Sequence, residues 1–382
     1  MQLFIRKTNA RSPLIKFIMT PEEAYMAATM NFKTASDAKR LDRLREMQKE
    51  MPTVCTHFFR SISQTTSTLT RLAYAYDFRV FFQYLCAEAP EFGAYTPATI
   101  PADKLKDVTG HDIETFQEYL MQYYKETDDG QVLMQNHELG IMRKLSSIRS
   151  LFDYLYKNGY VDANVTTLVN LPKLHEKPIL RLDQDEMKRM IEVASSGDGL
   201  TQRQNQYRNF TGARDYAIIM LFLGTGIRVS ECVGIDITDV DFDMNAFVVT
   251  RKGGNQVILY FPQEVADALQ AYLQERTQIE AVPGHENALF LSLQKKRITQ
   301  RAVQLMVKKY AAVAAPLKQK ISPHKLRSTF GTNLYLETGD IYLVADVLGH
   351  SDVNTTRKHY ADMTDEKRRE AAMRVKLPSK EY

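Results

Sequence analysis

Apolar side chains at helical spacing between residues 53 and 171 constrain the fold of this chain more than any other sequence feature. Three stripes repeat with the period of an amphipathic helix: Leu72, Tyr76, Phe78, Phe81, Phe82 and Leu85; Ile113, Phe116, Tyr119 and Leu120; and Leu145, Ile148, Leu151, Phe152 and Leu155. Each stripe must bury its apolar face, so we predict a compact all-helical domain over residues 53–171. Aromatic stripes of this kind form a core far more often than a functional site.

The segment before this domain is polar and helix-prone. Thr20 is a good N-cap and Pro21 suits the first helical position, while residues 37–51 are charge-rich and weakly amphipathic. Residues 1–52 are therefore predicted to form a helical N-terminal extension.

Residues 172–182 have the composition of a linker. Pro172 and Pro178 favour an extended chain, and Lys173, Lys177 and Arg181 make it basic. A basic, extended connector suits a chain that wraps around a polyanion, and it is equally compatible with a plain interdomain linker.

The pattern after residue 182 is mixed, and it predicts a separate α+β domain over residues 183–364. A helix capped by Asp183 precedes a long polar loop predicted at 195–212, and a buried helix then ends at a Gly-Thr-Gly turn. Residues 240–262 alternate like strands around Gly253-Gly254, a hairpin signal. The whole chain is thus predicted to be mainly α with a small antiparallel β-sheet, followed by a tail over residues 365–382.

Composition excludes several functional classes. Lys and Arg number 50 against 46 Asp and Glu, a formal net charge of +4 that permits a nucleic-acid partner only if the cations cluster. Cys55, Cys86 and Cys232 lie far apart, so the sequence indicates neither a zinc site nor a disulfide framework. Without a signal peptide or a bilayer-length apolar run, we expect a soluble, cytoplasmic protein with no membrane partner.

Several residues in the second half have the chemistry that a phosphodiester transesterification needs. Arg228 stands at a predicted helix start after a glycine turn, and Glu231, three residues later, shares its helix face. Arginine holds two phosphate oxygens at once and keeps its charge. Taken alone, an arginine and a glutamate at this spacing would most often form an ordinary ion pair on the protein surface.

Four further positions carry side chains that the same reaction could use. His324 and Arg327 are one turn apart after a proline, and His350 closes another predicted helix ten residues before Tyr360. Taken singly, a histidine is usually a satisfied structural residue and a tyrosine is usually packing.

The complete series resembles the tyrosine recombinase (phage integrase) family, in particular Xer-like site-specific recombinases and integrases. The similarity rests on GTGIRVSE at 224–231, PHKLRSTFGT at 323–332 and LGHSDVNTTRKHY at 348–360, and it extends over roughly residues 53–365. The residues that match the family's catalytic set are Arg228, Lys252, His324, Arg327, His350 and Tyr360.

The resemblance implies a role for each residue at the reacting phosphate. Tyr360 would attack the phosphorus and leave a 3′-phosphotyrosine and a free 5′-hydroxyl. Arg228 and Arg327 would hold the phosphate, and Glu231 would orient Arg228 from behind.

The remaining roles concern protons. Lys252 would protonate the leaving 5′ oxygen, although a simple DNA contact is also open because Arg251 is adjacent. His324 would accept a proton, and His350 would stabilise the transition state. The resemblance implies no metal and no cofactor.

The same resemblance makes residues 53–171 a core-binding domain and residues 183–364 the catalytic domain. The implied partners are double-stranded DNA with a specific recombination site and a homotetramer on two duplexes, with residues 365–382 exchanged between protomers. Accessory proteins are left open. Candidate DNA contacts in the helical domain are Arg71, Arg79, Lys144 and Arg149.

Alternatives remain at this point. A DNA-binding regulator would tolerate the loss of Tyr360, a relaxing topoisomerase would act without a defined site, and a helical scaffold would not bind DNA. Within recombinases, dimer resolution and integration or excision of a mobile element are both open.

Overall fold

The computed structural model describes residues 32–127, 130–173, 180–251, 255–318, 320–349 and 353. Among the predicted functional positions, Lys252, His350 and Tyr360 lie outside the described residues, as do the segments 1–31 and 365–382. No helix in the described part of the chain is long and apolar enough to cross a membrane.

The first half of the chain forms a helical body that ends at a short 3₁₀ turn, Val165–Thr167. Its helices are α1 (Phe32–Gln48), α2 (Thr53–Ser61), α3 (Thr68–Glu88), α4 (Gly110–Tyr119) and α5 (Glu138–Lys157). Most side chains of the predicted apolar stripes on α3, α4 and α5 are buried in one core, as expected from their period, whereas Tyr76 is 38% exposed.

Helix α1 shares this core. Leu44, Met47 and Met51 are buried in the same cluster as Phe58 and Phe78. Residues 44–51, which the sequence assigned to the N-terminal extension, therefore pack in the same core as the helices after residue 53.

A two-stranded hairpin interrupts the helices of this domain, which was predicted to be all-helical. Strands β1 (Gln122–Thr127) and β2 (Gly130–Gln135) pair antiparallel, with Tyr124 opposite Leu133. Tyr123 points inward and stacks on Tyr119 with ring centroids 5.1 Å apart. The all-helical prediction for this domain is therefore wrong at one element. Two six-residue strands contain too few alternating positions to be recognised in the sequence between two segments with a strong helical pattern.

The second half combines helices with a three-stranded sheet. Its helices are α6 (Gln184–Ser196), α7 (Gln202–Thr225), α8 (Val229–Cys232), α9 (Gln263–Arg276), α10 (Gln300–Ala314), α11 (Pro323–Thr338) and α12 (Ile341–Leu348). Its strands are β3 (Val240–Asp241), β4 (Ala246–Thr250) and β5 (Gln256–Tyr260), antiparallel in that order. The predicted class, mainly α with a small antiparallel sheet, is confirmed.

The loop predicted at 195–212 is mostly helix, which corrects that prediction. Only residues 197–201 separate α6 from α7, because Thr201 caps α7 and exchanges hydrogen bonds with Gln204 in a capping box. The first turns of α7 are polar because they face solvent, so polarity there did not indicate a loop. By contrast, the predicted cap of α6 at Asp183 is confirmed, in a capping box with Glu186.

A buried carboxylate fixes α7 against α10. Asp215 is 1% exposed and accepts hydrogen bonds from Arg214, Lys309 and Tyr310. Burial raises the pKa of the Tyr310 hydroxyl, and the nearby Asp215 carboxylate raises it further. This network holds the helix whose far end leads to Arg228.

Candidate active site

The turn that leads to Arg228 requires glycine. Gly226 caps α7 in the left-handed region, with φ of 62°, and a Cβ there would lie 2.4 Å from Cδ1 of Phe330. Ile227 is then buried, and Arg228 becomes the N-cap of α8. The predicted break after α7 thus fixes the position of Arg228 at the start of α8.

Glu231 holds Arg228 from behind, as the sequence spacing predicted. One carboxylate oxygen accepts the Arg228 guanidinium at 2.8 Å, and the other accepts the Arg228 backbone N–H at 3.0 Å. The Glu231 side chain is 4% exposed, whereas that of Arg228 is 33% exposed. The ion pair is therefore not a surface pair: its acid is buried and its base is open to solvent on one side.

Helix α11 carries the second predicted arginine. Pro323 occupies its first turn, and His324 and Arg327 follow one turn apart. Arg327 is only 6% exposed and donates to the carbonyls of Gly226 and Leu348. His324 is exposed, one turn nearer the start of the helix.

The carboxyl end of α12 is the point where the guanidinium groups meet. Arg327 donates to the Leu348 carbonyl, and Arg228 donates to the Gly349 carbonyl at 2.7 Å. A third arginine, Arg251 from the end of β4, donates to the Val347 carbonyl at 2.9 Å. Three cations from three separate elements therefore lie against three successive peptide groups.

Electrostatics explains how like charges remain together here. The last carbonyls of a helix carry a partial negative charge, and the Glu231 carboxylate adds a full one. Both offset repulsion among the guanidinium groups. Because Arg228 is partly open to solvent, an anion entering from that side meets a planar, always charged guanidinium group that Glu231 holds in place.

The structure thus brings together Arg228, Glu231 and Arg327, with Gly349, the residue before His350, in the same cluster. His324 shares α11 with Arg327. The catalytic roles predicted for these residues stay predictions, as do those of Lys252, His350 and Tyr360. Sequence reasoning assigned no contact to Arg251, although its place beside Lys252 was a usable signal.

Two buried nucleophiles in the described part of this domain are poorly suited to attack a phosphodiester. Cys232, at the end of α8, is fully buried, and burial raises the pKa of its thiol. Tyr310 is also buried, and its pKa is raised. Both groups stay protonated and out of reach of a large substrate. Among the described residues, no cluster of His, Cys, Asp and Glu has the arrangement of a metal site.

Comparison with known proteins identifies the family. Residues 180–367 match the model of the phage integrase family. A tyrosine recombinase XerC from Caldanaerobacter subterraneus subsp. tengcongensis is 32% identical over 323 residues, which cover 82% of this chain and 83% of the relative. The chain belongs to the phage integrase family of tyrosine recombinases. A second XerC, from Thermodesulfovibrio yellowstonii, is 33% identical over 59% of this chain and 72% of the relative.

Solved recombinase structures share the fold. The XerH site-specific recombinase bound to palindromic difH substrate aligns with a TM-score of 0.60 at 18% identity, covering 92% of this chain and 93% of that one. The Tn1549 transposon integrase in complex with transposon right end DNA aligns with a TM-score of 0.58 at 19% identity, covering 84% and 99%. Family membership makes this chain a tyrosine-type site-specific DNA recombinase, as the sequence predicted.

The helical domain uses some of its predicted DNA-contacting cations internally. Arg149 donates to the carbonyls of Thr166 and Val169, and Lys144 lies 4.0 Å from the buried carboxylate of Asp77. Arg79 lies over the Tyr76 ring. Arg149 therefore has a structural role in anchoring the end of this domain, whatever its role towards DNA.

Substitution of Glu231 tests whether it positions Arg228. Gln in its place would put an N–H₂ group opposite one of the two Arg228 donors, so we expect Glu231→Gln to slow strand cleavage about 10–100-fold. The measurement is a single-turnover cleavage rate, corrected for the folded fraction. The matched control is Glu186→Gln, because Glu186 is, like Glu231, a buried acid in a capping box, but it pairs with Lys318 instead. Equal losses in the two variants would contradict the positioning role.

Proposed function

We propose that this recombinase cuts DNA by direct attack of Tyr360 on the scissile phosphorus. The phenolate oxygen forms a bond to phosphorus, and the bond from phosphorus to the 5′ oxygen breaks. One strand is left as a 3′-phosphotyrosine and the other ends in a 5′-hydroxyl. The covalent bond conserves the energy of the phosphodiester, so rejoining is the reverse attack by a 5′-hydroxyl and requires no ATP.

Arg228 and Arg327 hold the nonbridging oxygens of that phosphate in this proposal. The observation that carries it is the convergence of both guanidinium groups on adjacent carbonyls, Gly349 and Leu348, although the two arginines are 99 positions apart by their numbering, 327 against 228. Prepositioned donors of this kind stabilise the charge that develops on the pentavalent phosphorus, and they cost no reorganisation during the reaction.

The remaining catalytic residues accept or donate protons in this proposal. An unperturbed tyrosine has a pKa of about 10, so the surrounding cations must favour the phenolate of Tyr360. His324 accepts the phenolic proton, Lys252 gives a proton to the leaving 5′ oxygen, and His350 donates to the phosphate in the transition state. No step in this scheme uses a metal or a cofactor.

The partner of this site is double-stranded DNA with a specific recombination sequence. We propose that four copies assemble on two duplexes and that the segment 365–382 docks on a neighbouring copy. The basic linker and the helical domain would close around the DNA, and the reaction would take place in the cytoplasm. Either dimer resolution or integration and excision of a mobile element fits this chemistry.

The test is a nicked suicide substrate, on which the fragment after the cleavage point diffuses away and rejoining is blocked. Strands that carry a label at the 5′ end should remain attached to the protein in denaturant, whereas strands labelled at the 3′ end should be released with a free 5′-hydroxyl. Retention of the 3′-end label, or no denaturant-resistant adduct with the native site, would contradict the proposal.

A further inference from the structure

Arg251 connects the sheet to the end of α12. Its backbone N–H donates to the Asn255 carbonyl at 2.8 Å, which closes the base of the turn between β4 and β5. Its guanidinium donates to the Val347 carbonyl at 2.9 Å. One residue therefore contributes its main chain to the hairpin and its side chain to the helix end.

The helix end is shaped to accept this side chain. Gly349 has φ of 60°, and a Cβ on it would lie 2.1 Å from Nη1 of Arg251. Glycine at this position thus permits the left-handed cap and also leaves space for the guanidinium. The Nε of Arg251 is buried and has no hydrogen-bond partner among the described residues. The Arg251 guanidinium is therefore held by its contacts with Val347 and Gly349, although not all of its N–H groups are hydrogen-bonded.

The carbonyl that accepts from Arg251 lies one residue before the carbonyl that accepts from Arg327 and two residues before the carbonyl that accepts from Arg228. Val347, Leu348 and Gly349 accept from Arg251, Arg327 and Arg228 respectively. Consecutive Cα atoms are about 3.8 Å apart. Arg251 consequently fixes the start of the β4–β5 turn relative to the same helix end that fixes the proposed phosphate site.

We propose that Arg251 is a positioning residue that sets the reach of Lys252, the next residue in the chain, towards the leaving 5′ oxygen. The inference rests on the proposed function, in which Lys252 is the proton donor. Lysine carries its charge on a flexible four-carbon stem, and the next two residues in the sequence, Gly253 and Gly254, have no side chains. Proton transfer requires the donor and acceptor to lie within hydrogen-bond distance. The position of Arg251 therefore determines whether the Lys252 ammonium group can reach the leaving 5′ oxygen.

A sulfur substitution in the DNA separates this role from a general structural one. In a 5′-bridging phosphorothiolate, the leaving atom is sulfur, which departs as a thiolate and needs no proton donor. On the ordinary phosphodiester, we expect Arg251→Gln to slow single-turnover cleavage about 100-fold, the order produced by misplacing a reacting group by about 1 Å. On the sulfur substrate, the same variant should cleave within about threefold of the wild-type rate, because the step that Arg251 assists is bypassed.

Three further variants make the readout specific. Lys252→Ala should show the same rescue by sulfur, whereas Glu231→Gln should remain slow on both substrates because it disturbs the phosphate clamp. Arg301→Gln removes an exposed arginine from the start of α10 and should behave as wild type on both. Thermal unfolding of each variant establishes the folded fraction.

The outcomes are distinguishable. Rescue of Arg251→Gln by sulfur supports the inference. An equal loss on both substrates, or no loss on either, overturns it while leaving the tyrosine mechanism intact. Absence of an adduct from the wild-type protein on both substrates would reject the proposed function itself.

Discussion

A Tyr360→Phe variant is expected to bind its recombination site with unchanged affinity and to form no covalent adduct. Phenylalanine keeps the ring and removes the only atom that can attack phosphorus. Removal of a catalytic nucleophile costs about 10⁴-fold or more, so the adduct should fall below detection on a suicide substrate. Affinity should stay within about twofold, because phosphate contacts from cationic side chains supply most of it.

The control for this variant is another tyrosine in the same domain. Tyr342 lies on α12 and is 71% exposed, so Tyr342→Phe removes a hydroxyl without disturbing the core. It should form the adduct at the wild-type rate. An adduct from Tyr360→Phe at a rate similar to that of the control would show that a different residue is the nucleophile.

Arg327→Lys is expected to be the most damaging substitution in the described part of the site. Lysine keeps the charge but lacks the planar fork that reaches both Gly226 and Leu348, and one buried carbonyl loses its donor. We expect the domain to lose about 1–3 kcal/mol of stability, the cost of a buried polar group left without a partner. Cleavage per folded molecule should fall about 100–1,000-fold, the usual effect of losing one prepositioned donor.

Arg276 provides the matched control for Arg327. It is 4% exposed and donates to the backbone carbonyls of Ala288, Ile279 and Glu286, at the end of α9. Arg276→Lys should therefore lower the unfolding midpoint by a similar amount and leave cleavage per folded molecule unchanged. Denaturant unfolding and single-turnover cleavage measured on both variants separate the two effects. A parallel loss of cleavage in both would assign Arg327 a structural role alone.

Local sequence patterns predicted the elements that have a clear period or a clear stop signal. The helical stripes, the cap at Asp183, the break at Gly226 and the antiparallel pairing of β4 with β5 are all governed by interactions close in sequence. Glu231 lies within the same turn as Arg228, so their pairing could also be predicted from spacing.

Long-range contacts could not be predicted from these patterns. Two local features were also missed: the capping box between Thr201 and Gln204 starts α7 within a polar segment, and Tyr123 of hairpin β1–β2 stacks on Tyr119. The meeting of guanidinium groups at the end of α12 follows only from how α8, α11 and β4 pack. The order of the motifs predicted that the arginines serve one site, but only the fold shows the carbonyls that hold them.

Identification of the residue that carries the DNA tests the central claim most directly. The covalent adduct on a suicide substrate can be digested with trypsin and nuclease and examined by mass spectrometry. Cleavage after Lys358 and Lys367 releases residues 359–367, and the account predicts a nucleotide attached to Tyr360 within that peptide. A nucleotide on any other residue, or an unmodified 359–367 peptide from purified adduct, would contradict the account.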